Sequence, residues 1–576
     1  MLRISKQLGI SVLLVLLGSF PSEGIAQPED AASTEDAAST EDAASTEDAA
    51  STEDAAGTED AAGTEDAAST EDAAEPPSIA PTTLETEAES DDSKLELQVS
   101  PTLTRDAPRA HYLRNALELA TVIGGGTTWY WLDRERQVGD WDFPKWEDKL
   151  LFRKETLIFD TNPFQVNFAW HTYAGAASHV LGRSNGLGLY QSVGMGFAAS
   201  VIWEYVIESR ERVSVNDLVF TSTVGIPVGE FFHRVGQYVN QGQQGFGWDV
   251  ARWTAGFGHT LHSTIDQQSV MQKEKLTADF RWHYALDRLS ISRTDGGPGT
   301  ASNTADKTLH SLGFAGRIVA LDDYKQPGHR QGFFGQANVS EFSLQFTQGQ
   351  GTGTRSESDA LLLGWTYQNA PEEGESGTGL ALNLGADIGY FYHREQVGLW
   401  QDRFGGMHLP GPGVDAEVYG DNWSFKGQLY GNVDFAGVNS MAWQQFIQVY
   451  DNPEDGAGPT LGKTVLRQAG YYYALGLSTR AKAEFQLDRF TLGGKVFLGS
   501  YDSIEGLERD KVAVPSSAEA KGHDTLVDLD LWLRANIYKN SYAQLRFGRY
   551  FRKGTLAEFE AKADMTRANL EIGLQF

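Results

Sequence analysis

Glu204 and Glu208 stand one helical turn apart at the end of an apolar run, directly after Trp203. Residues at i and i+4 share a helix face, so both carboxylates can act on one point. Asn216-Asp217 opens the next apolar run, and Gly229-Glu230 and His233 close it. Upstream lie Asn162-Pro163-Phe164, Asn167 and Trp170-His171, with His179 eight residues after His171. Three kinds of chemistry suit such a set. The carboxylates can accept hydrogen bonds from Asn216, Arg210 or backbone amides at a helix start. They can hold zinc or iron, with His171, Glu204 and Glu208 as candidate ligands. They can also work as general acids and bases on a lipid headgroup, with Glu204, Glu208, His171, Asp217 and Glu230 as candidates. The paired Glu-x-x-His steps of helical di-metal sites are missing, since only Glu230-Phe-Phe-His233 has that spacing. Gly182-Arg183-Ser184-Asn185-Gly186 has the Gly-x-Ser-x-Gly spacing but lies among the expected helices and not on a strand-to-helix elbow, and a chain with 0 Cys has neither thiolate sites nor disulfides. No motif names a cofactor: Gly124-Gly125-Gly126 lacks the context of a nucleotide-binding loop.

The elements that must position these residues read as helices across 108–265. Leu187 to Glu208 carries Ser192, Gly196 and Ser200 at i+4 steps, a flat ridge that lets another helix approach. Val215 to Val235 begins after Ser214, an expected N-cap, and Asp217 three residues on approximates a capping box. Gly225 and Gly229 repeat the ridge, so the two runs are expected to pack on each other as a hairpin. An earlier apolar stretch, Tyr112 to Leu132, is weakened as a helix by its three glycines. His259 and His262 fall in an expected connecting segment.

The series Asn162-Pro163-Phe164, Asn167, His171, Gly175, Gly186, Trp203-Glu204, Glu208, Asn216-Asp217, Gly225 and Gly229-Glu230 resembles the bacterial family catalogued as domain of unknown function 3943, over about residues 150–235. The resemblance implies export and a strand-rich region downstream; it implies no activity and no catalytic roles. Thr172-Tyr173 follows His171 where the family pattern has Pro.

Strands fill 270–576. Thr566 to Phe576 alternates apolar and polar and ends on an aromatic, the pattern of a closing outer-membrane strand and of the C-terminal signal read by barrel-assembly machinery. Several other segments alternate over ten residues or more, enough to cross a bilayer at a tilt. Twelve strands are expected, near 275–287, 308–320, 332–348 (one strand or two), 357–369, 378–393, 423–435, 441–450, 470–487, 489–501, 524–538, 541–552 and 565–576. Arg394 to Asn422 and Asn452 to Gln468 are expected as extracellular loops. Tyr390 to Tyr392, Tyr471 to Tyr473, Tyr538, Tyr542, Tyr550 and Phe551 are expected as interfacial girdles. The fold class is thus an α+β membrane protein: a small helical domain, then an antiparallel transmembrane barrel.

The N-terminus agrees with export. Arg3 and Lys6 precede the apolar Leu8 to Phe20, and Gly24-Ile25-Ala26 offers small residues for cleavage, so 1–26 is expected as a Sec signal peptide. Residues 27–107 are expected as a disordered linker built on an acidic six-residue repeat, and nothing basic occurs between Gln27 and Ser93. That tail holds most of the net −31, so the body is near neutral and carries no basic–aromatic motif for nucleic acid. These features place the chain in a Gram-negative outer membrane, with lipid as a partner. The helical region is expected as a plug or periplasmic cap, in a barrel serving transport, envelope organisation or protein contact. The alternative is a lipid-modifying enzyme that uses the Glu/His cluster.

Overall fold

The computed structural model describes residues 110–134, 143–153, 156–242, 244–266, 275–295, 303–321, 324–372, 376–397, 400–450, 465–504 and 521–576. The expected signal peptide and repeat tail lie outside them.

The strand region closes on itself. Its strands are β3 (Thr277–Asp295), β4 (Asn303–Val319), β5 (Gly328–Phe334), β6 (Val339–Gly349), β7 (Thr352–Ala370), β8 (Gly379–Val397), β9 (Trp400–Tyr419), β10 (Trp423–Val438), β11 (Tyr472–Leu487), β12 (Phe490–Ser503), β13 (Gly522–Tyr538), β14 (Ser541–Leu556) and β15 (Phe559–Gln575). The antiparallel ladder runs β3-β4-β6-β7 and on through β8 to β15, which returns to β3. β5 and β6 share one position beside β7: β5 pairs with its last residues and β6 with its first. That gives twelve staves. Phe576 exchanges backbone hydrogen bonds with Phe280 at the seam.

The number twelve was reached in the sequence by two errors that cancel. Arg394 to Asn422, expected as a loop, contains β9. Its glycines and prolines hide the alternation. Pro410 and Pro412 lie where the register shifts against both neighbours, and a bulge tolerates residues that cannot donate to a ladder. Conversely, 441–450, expected as a strand, is helical from Trp443 to Tyr450. This helix and a short one, Val465–Ala469, belong to the long connection between β10 and β11, which turns inward and stops one mouth of the barrel. Met441, Phe446 and Leu466 are buried there against inward residues such as Tyr472, Tyr501 and Leu556. Arg552 anchors the segment by donating to Asn439 O at 2.7 Å, while binding Asp402 and Asp524.

Strand alternation sorts the two faces. Trp282, Tyr284, Leu286, Leu531, Leu545, Leu570 and Ile572 point outward and are exposed. The inward face is charged and interlocked. Arg317 meets Glu341 at 2.9 Å and Asp415 at 2.6 Å, Arg355 meets Asp528 at 2.9 Å, and Arg480 meets Asp387 at 2.6 Å and also Asp359. A cavity of about 250 Å³ remains among these groups.

Among the described residues, eight α-helices precede the barrel: α1 (Tyr112–Trp129), α2 (Trp146–Leu150), α3 (His171–Ser184), α4 (Leu189–Ile202), α5 (Val215–Val219), α6 (Gly225–Gln241), α7 (Phe246–Thr254) and α8 (Phe257–Asp266). The helices of the plug are α9 (Trp443–Tyr450) and α10 (Val465–Ala469). α1 runs straight through its three glycines. The expected hairpin forms only in part: α4 packs on the 215–224 start of the second run, with Ser200 Oγ donating to Asp217 O at 3.3 Å, whereas α3 covers the glycines of α6. A Cβ on Gly225 would meet Gly175 and Ala176 of α3, and one on Gly182 of α3 would meet Ser192 of α4. The α6 ridge thus serves α3, while the α4 ridge is divided, with Ser192 against α3, Ser200 against α5 and Gly196 facing open space. His259 and His262, expected in a connection, are buried on α8, bonded to His233 and Glu118 respectively.

The helical region is neither inside the barrel nor beneath it; it lies against the outer wall. Its seat follows one register row, Phe280–Gly316–Phe342–Ser358–Tyr390–Met407–Phe435, together with outward neighbours such as Tyr392 and Tyr473. Tyr238 packs on Phe280, Phe231 on Phe342, Tyr173 on Tyr390, Phe164 on Tyr392, and Phe220 on Phe435. A lumen already filled by side chains from twelve strands has no room for this bundle. Most of the expected girdle is lost: Tyr390, Tyr392, Tyr471 and Tyr473 lie under the helices, and Tyr472, Tyr542 and Tyr550 point inward, whereas Tyr538 stays exposed.

Candidate functional site

Three helices bring polar side chains to the Phe435–Tyr473 end of that seat, and each is locally underwound. A π turn, Val166–Trp170, leads into α3; another, Trp203–Ile207, ends α4; a third, Phe220–Val224, joins α5 to α6. π turns insert a residue and re-aim side chains, and they gather at functional sites. Asn167, Glu204 and Thr221 lie in these three turns, and Glu208 follows the second directly. A two-residue parallel pair, β1 (Leu157–Ile158) with β2 (Val213–Ser214), brings Asp160 beside Asn216.

One half of the site docks the helices on the wall. Asp160 Oδ1 accepts from Asn167 Nδ2 at 2.5 Å, Asn216 Nδ2 at 3.0 Å and Tyr473 OH at 3.1 Å. Asn167 Nδ2 also reaches Tyr471 OH at 2.9 Å, and Tyr471 OH donates to Asn162 O at 2.9 Å. The Asn residues of the 162–217 motif thus tie the helices to strand β11. Sequence reasoning passed over Asp160 and Tyr471; the Tyr471 to Tyr473 run had drawn notice only as a girdle.

The other half is acidic. Ser214 caps α5, its Oγ accepting from Asp217 N at 3.3 Å. The reciprocal bond of a capping box comes from elsewhere: Ser214 N donates to Glu204 Oε2 at 2.8 Å. Asp217 is thereby left to the cluster. Trp203 Nε1 donates to Glu208 Oε1 at 2.9 Å. One oxygen each of Glu204, Glu208 and Asp217 falls within 4.8 Å of the others. His171 Nε2 stands 3.4 Å from Asp217 Oδ1, with its Nδ1 3.2 Å from Thr221 Oγ1. Lys149 is buried beside them and donates to the backbone carbonyls of Glu204 and Glu208 at 2.8 and 2.9 Å.

Burial and like charge set the protonation. Burial, then Glu208, holds Glu204 well above the usual carboxylate range. Burial, then Glu211, pushes Glu208 up to about 8. Burial, then Asp160 and Glu204, raises Asp217. Burial lowers His171, so its imidazole is neutral.

Glu230, grouped with these residues in the sequence, is placed elsewhere. It lies on α6 between Arg183 (3.0 Å), His179 (3.0 Å) and Arg234 (3.0 Å). Burial alone would raise its carboxyl, but the two arginines outweigh it and hold it well below the usual range. Arg183 and Arg234 also reach Gln336, at the break between β5 and β6.

Residues 156–259 match the family described as Domain of unknown function (DUF3943). The matched span contains the α3–α6 packing and the helix-side residues of both halves of the site except Lys149, while the docking tyrosines Tyr471 and Tyr473 belong to the closed twelve-stave barrel region that follows it. No curated protein matches the chain. Among solved structures, a Pseudomonas aeruginosa FadL homologue is similar at 8% identity and a TM-score of 0.19, covering 52% of this chain and 90% of its own. OmpT, an outer membrane protein of Vibrio cholerae, is similar at 8% identity and a TM-score of 0.19, over 53% and 99%. The translocator domain of autotransporter NalP from Neisseria meningitidis is similar at 8% identity and a TM-score of 0.20, over 56% and 95%. The transmembrane barrel assignment rests on this chain's own register and faces.

Proposed function

We propose that this protein is an outer-membrane barrel of a Gram-negative envelope that does not conduct through its lumen. It works instead through the DUF3943 helices carried on its lipid-facing wall, as a lipid-contacting, envelope-organising module. Export follows from the N-terminal signal segment, and the terminal Phe576 serves the assembly machinery. The longest connections, 439–471 and 504–521, share the end that also holds the short connections 350–351, 398–399 and 557–558, and the end with 420–422, 488–489 and 539–540 is read as periplasmic because those long connections lie opposite it. The observation that carries the reading is the position of the helices on the outward aromatic row. Their far side continues the apolar exterior: Leu113, Leu117, Val122, Tyr190, Phe197 and Ile202 are all exposed. Such a patch on a monomer marks a membrane or partner surface, and its continuity with the barrel exterior favours lipid.

A second reading, a lipid-modifying enzyme, is favoured by Glu208. This carboxyl is half-buried, retains its proton near neutral pH, and so could donate it to an ester or phosphate oxygen at the wall.

Two measurements on the full chain separate these readings. Reconstituted in planar bilayers, the wild type is expected to be electrically silent; stepwise channel currents would sink the non-conducting reading. Lipid mass spectrometry then compares membranes bearing wild type or Glu204→Gln/Glu208→Gln, matched for folded barrel by heat-modifiable mobility. A lipid product confined to the wild type would establish the enzyme.

A further inference from the structure

Nearly every other buried carboxylate described so far faces a cation. Those of the lumen face arginine or lysine, and Glu230 faces Arg183 and Arg234. Glu204, Glu208 and Asp217 face one another instead. Lys149, the buried cation beside them, places its ammonium on two backbone carbonyls and not on the carboxylates. Glu204 is fully buried; its Oε2 accepts from Ser214 N, while its Oε1 has no hydrogen bond at all. A buried carboxylate oxygen without a partner costs several kcal/mol, so protein interiors pair such groups or give them to a metal.

We propose that Glu204, Glu208 and Asp217 bind one divalent cation, each through a single oxygen. The spacing allows it, because oxygens bound at 2.0–2.4 Å to a common ion lie within about 4.8 Å of one another. The observed group meets that limit without rearrangement. Three oxygens are already assigned, Glu204 Oε2 to Ser214, Glu208 Oε1 to Trp203 and Asp217 Oδ1 to Asn216 at 2.8 Å, and each residue keeps a second. An all-carboxylate set suits a hard ion of the Mn²⁺ or Ca²⁺ kind, with water completing the shell. His171 is a positioning residue here: Thr221 fixes one ring nitrogen and the other stands against Asp217. Glu208, half-buried, marks the route of entry.

The inference is independent of lumen conductance and of lipid chemistry, and its test uses neither. The full-length protein, folded in detergent and stripped with EDTA, is titrated with MnCl₂ or CaCl₂. Metal content is measured after gel filtration, and Mn²⁺ also by the loss of its free-ion electron-spin signal. One ion per chain is expected, together with a higher melting midpoint of the helical signal. Glu204→Gln and Asp217→Asn are expected to weaken binding at least tenfold, whereas Asp564→Asn, on the exposed surface, leaves it unchanged. Glu208→Gln guards against misfolding. It perturbs the least buried ligand, and it is expected to raise the metal-free midpoint while abolishing the gain from metal. A wild type that takes up neither ion overturns the proposal. So does binding that survives undiminished in folded Glu208→Gln.

Discussion

At the scale of single residues, the asparagines and tyrosines of the dock hold the helices in place more firmly than apolar contact can. If the wall faces lipid, covering it with helices yields little hydrophobic gain, because acyl chains are as apolar as the side chains that replace them. Association must come from packing and polar bonds. Tyr473→Phe removes a hydroxyl that bridges Asp160 and Asn167 and leaves the ring stacked on Phe159. The expected cost is about 1 kcal/mol. Asn167→Leu is harsher, since it strips Asp160, Tyr471 and Tyr473 of a shared donor; roughly 2–3 kcal/mol is expected. The measurement is protease sensitivity of the helical region at constant barrel mobility on heat-modifiable gels. Unchanged protection in Asn167→Leu would mean the aromatic row alone carries the seat. These residues were visible in the sequence as a motif without a task. Their task was illegible because the partner tyrosines lie some three hundred positions away, on a strand whose outward face looked like a membrane girdle.

At the scale of elements, close approach decides which helix meets which. A Cβ on Gly175 would fall 1.9 Å from Thr221 O, a backbone atom that cannot yield cheaply. Gly175→Ala is expected to force α3 off the 220–224 turn, at a cost of about 1–3 kcal/mol. A lowered midpoint of the helical signal, with β-sheet signal unchanged, checks it. The sequence showed the small-residue ridges on α4 and α6 but paired them with each other. It gave no sign that α3, which carries its own glycines among histidines and aromatics, is the shared partner. The lost β9 has a similar origin, since Pro and Gly erase the period-two pattern where the bulges lie. α8 adds a pH dependence. His259 is buried with Nε2 2.9 Å from His233 Nδ1, flanked by His262, Arg183 and Glu230. Burial, then His262, pulls it down to about 3; burial, then Arg183, lowers His233, and burial lowers His179. Unfolded histidines take up protons below about 6.5, while these stay neutral in the fold. Stability is therefore full above pH 6.5 and falls as pH drops toward 3, by at most roughly 1.4 kcal/mol per pH unit for each group. Between pH 7 and 4.5 the raised carboxyls of Glu204, Glu208 and Asp217 give the opposite slope, since they gain stability as pH falls, so the check is the difference between two profiles. Circular dichroism melts of His259→Gln are expected to lose less midpoint, or gain more, toward pH 4.5 than the wild type does. Parallel profiles for the two proteins would rule the histidine effect out.

At the scale of the whole molecule, two separate devices close the lumen, and they predict different conductances. The inward-turned connection stops one mouth, held by Arg552 to Asn439 O and by Arg293 to Met441 O at 2.9 Å. Deeper down, Arg317, Arg355 and Arg480 span the lumen to carboxylates on other strands, such as Asp415, Asp528 and Asp387. Such buried pairs are costly to desolvate and poor as sources of stability, but they fix strand register and narrow the space among them to a cavity of about 250 Å³. Replacing 441–469 by a short Gly-Ser turn is therefore expected to leave planar bilayers nearly silent, because the charged layer still spans the barrel. Adding Arg317→Ser and Arg480→Ser removes cross-lumen arms from that layer and hydrates their carboxylates. A cation-selective current is then expected, since Asp387, Asp415 and Glu341 would line the opened path. Large currents from the plug deletion alone would place the only seal at the mouth and make the connection a gate. Silence in the combined variant, with a folded barrel, would mean that twelve staves leave too narrow a bore whatever fills it. That outcome would confine the protein's work still more firmly to the helices on its outer wall.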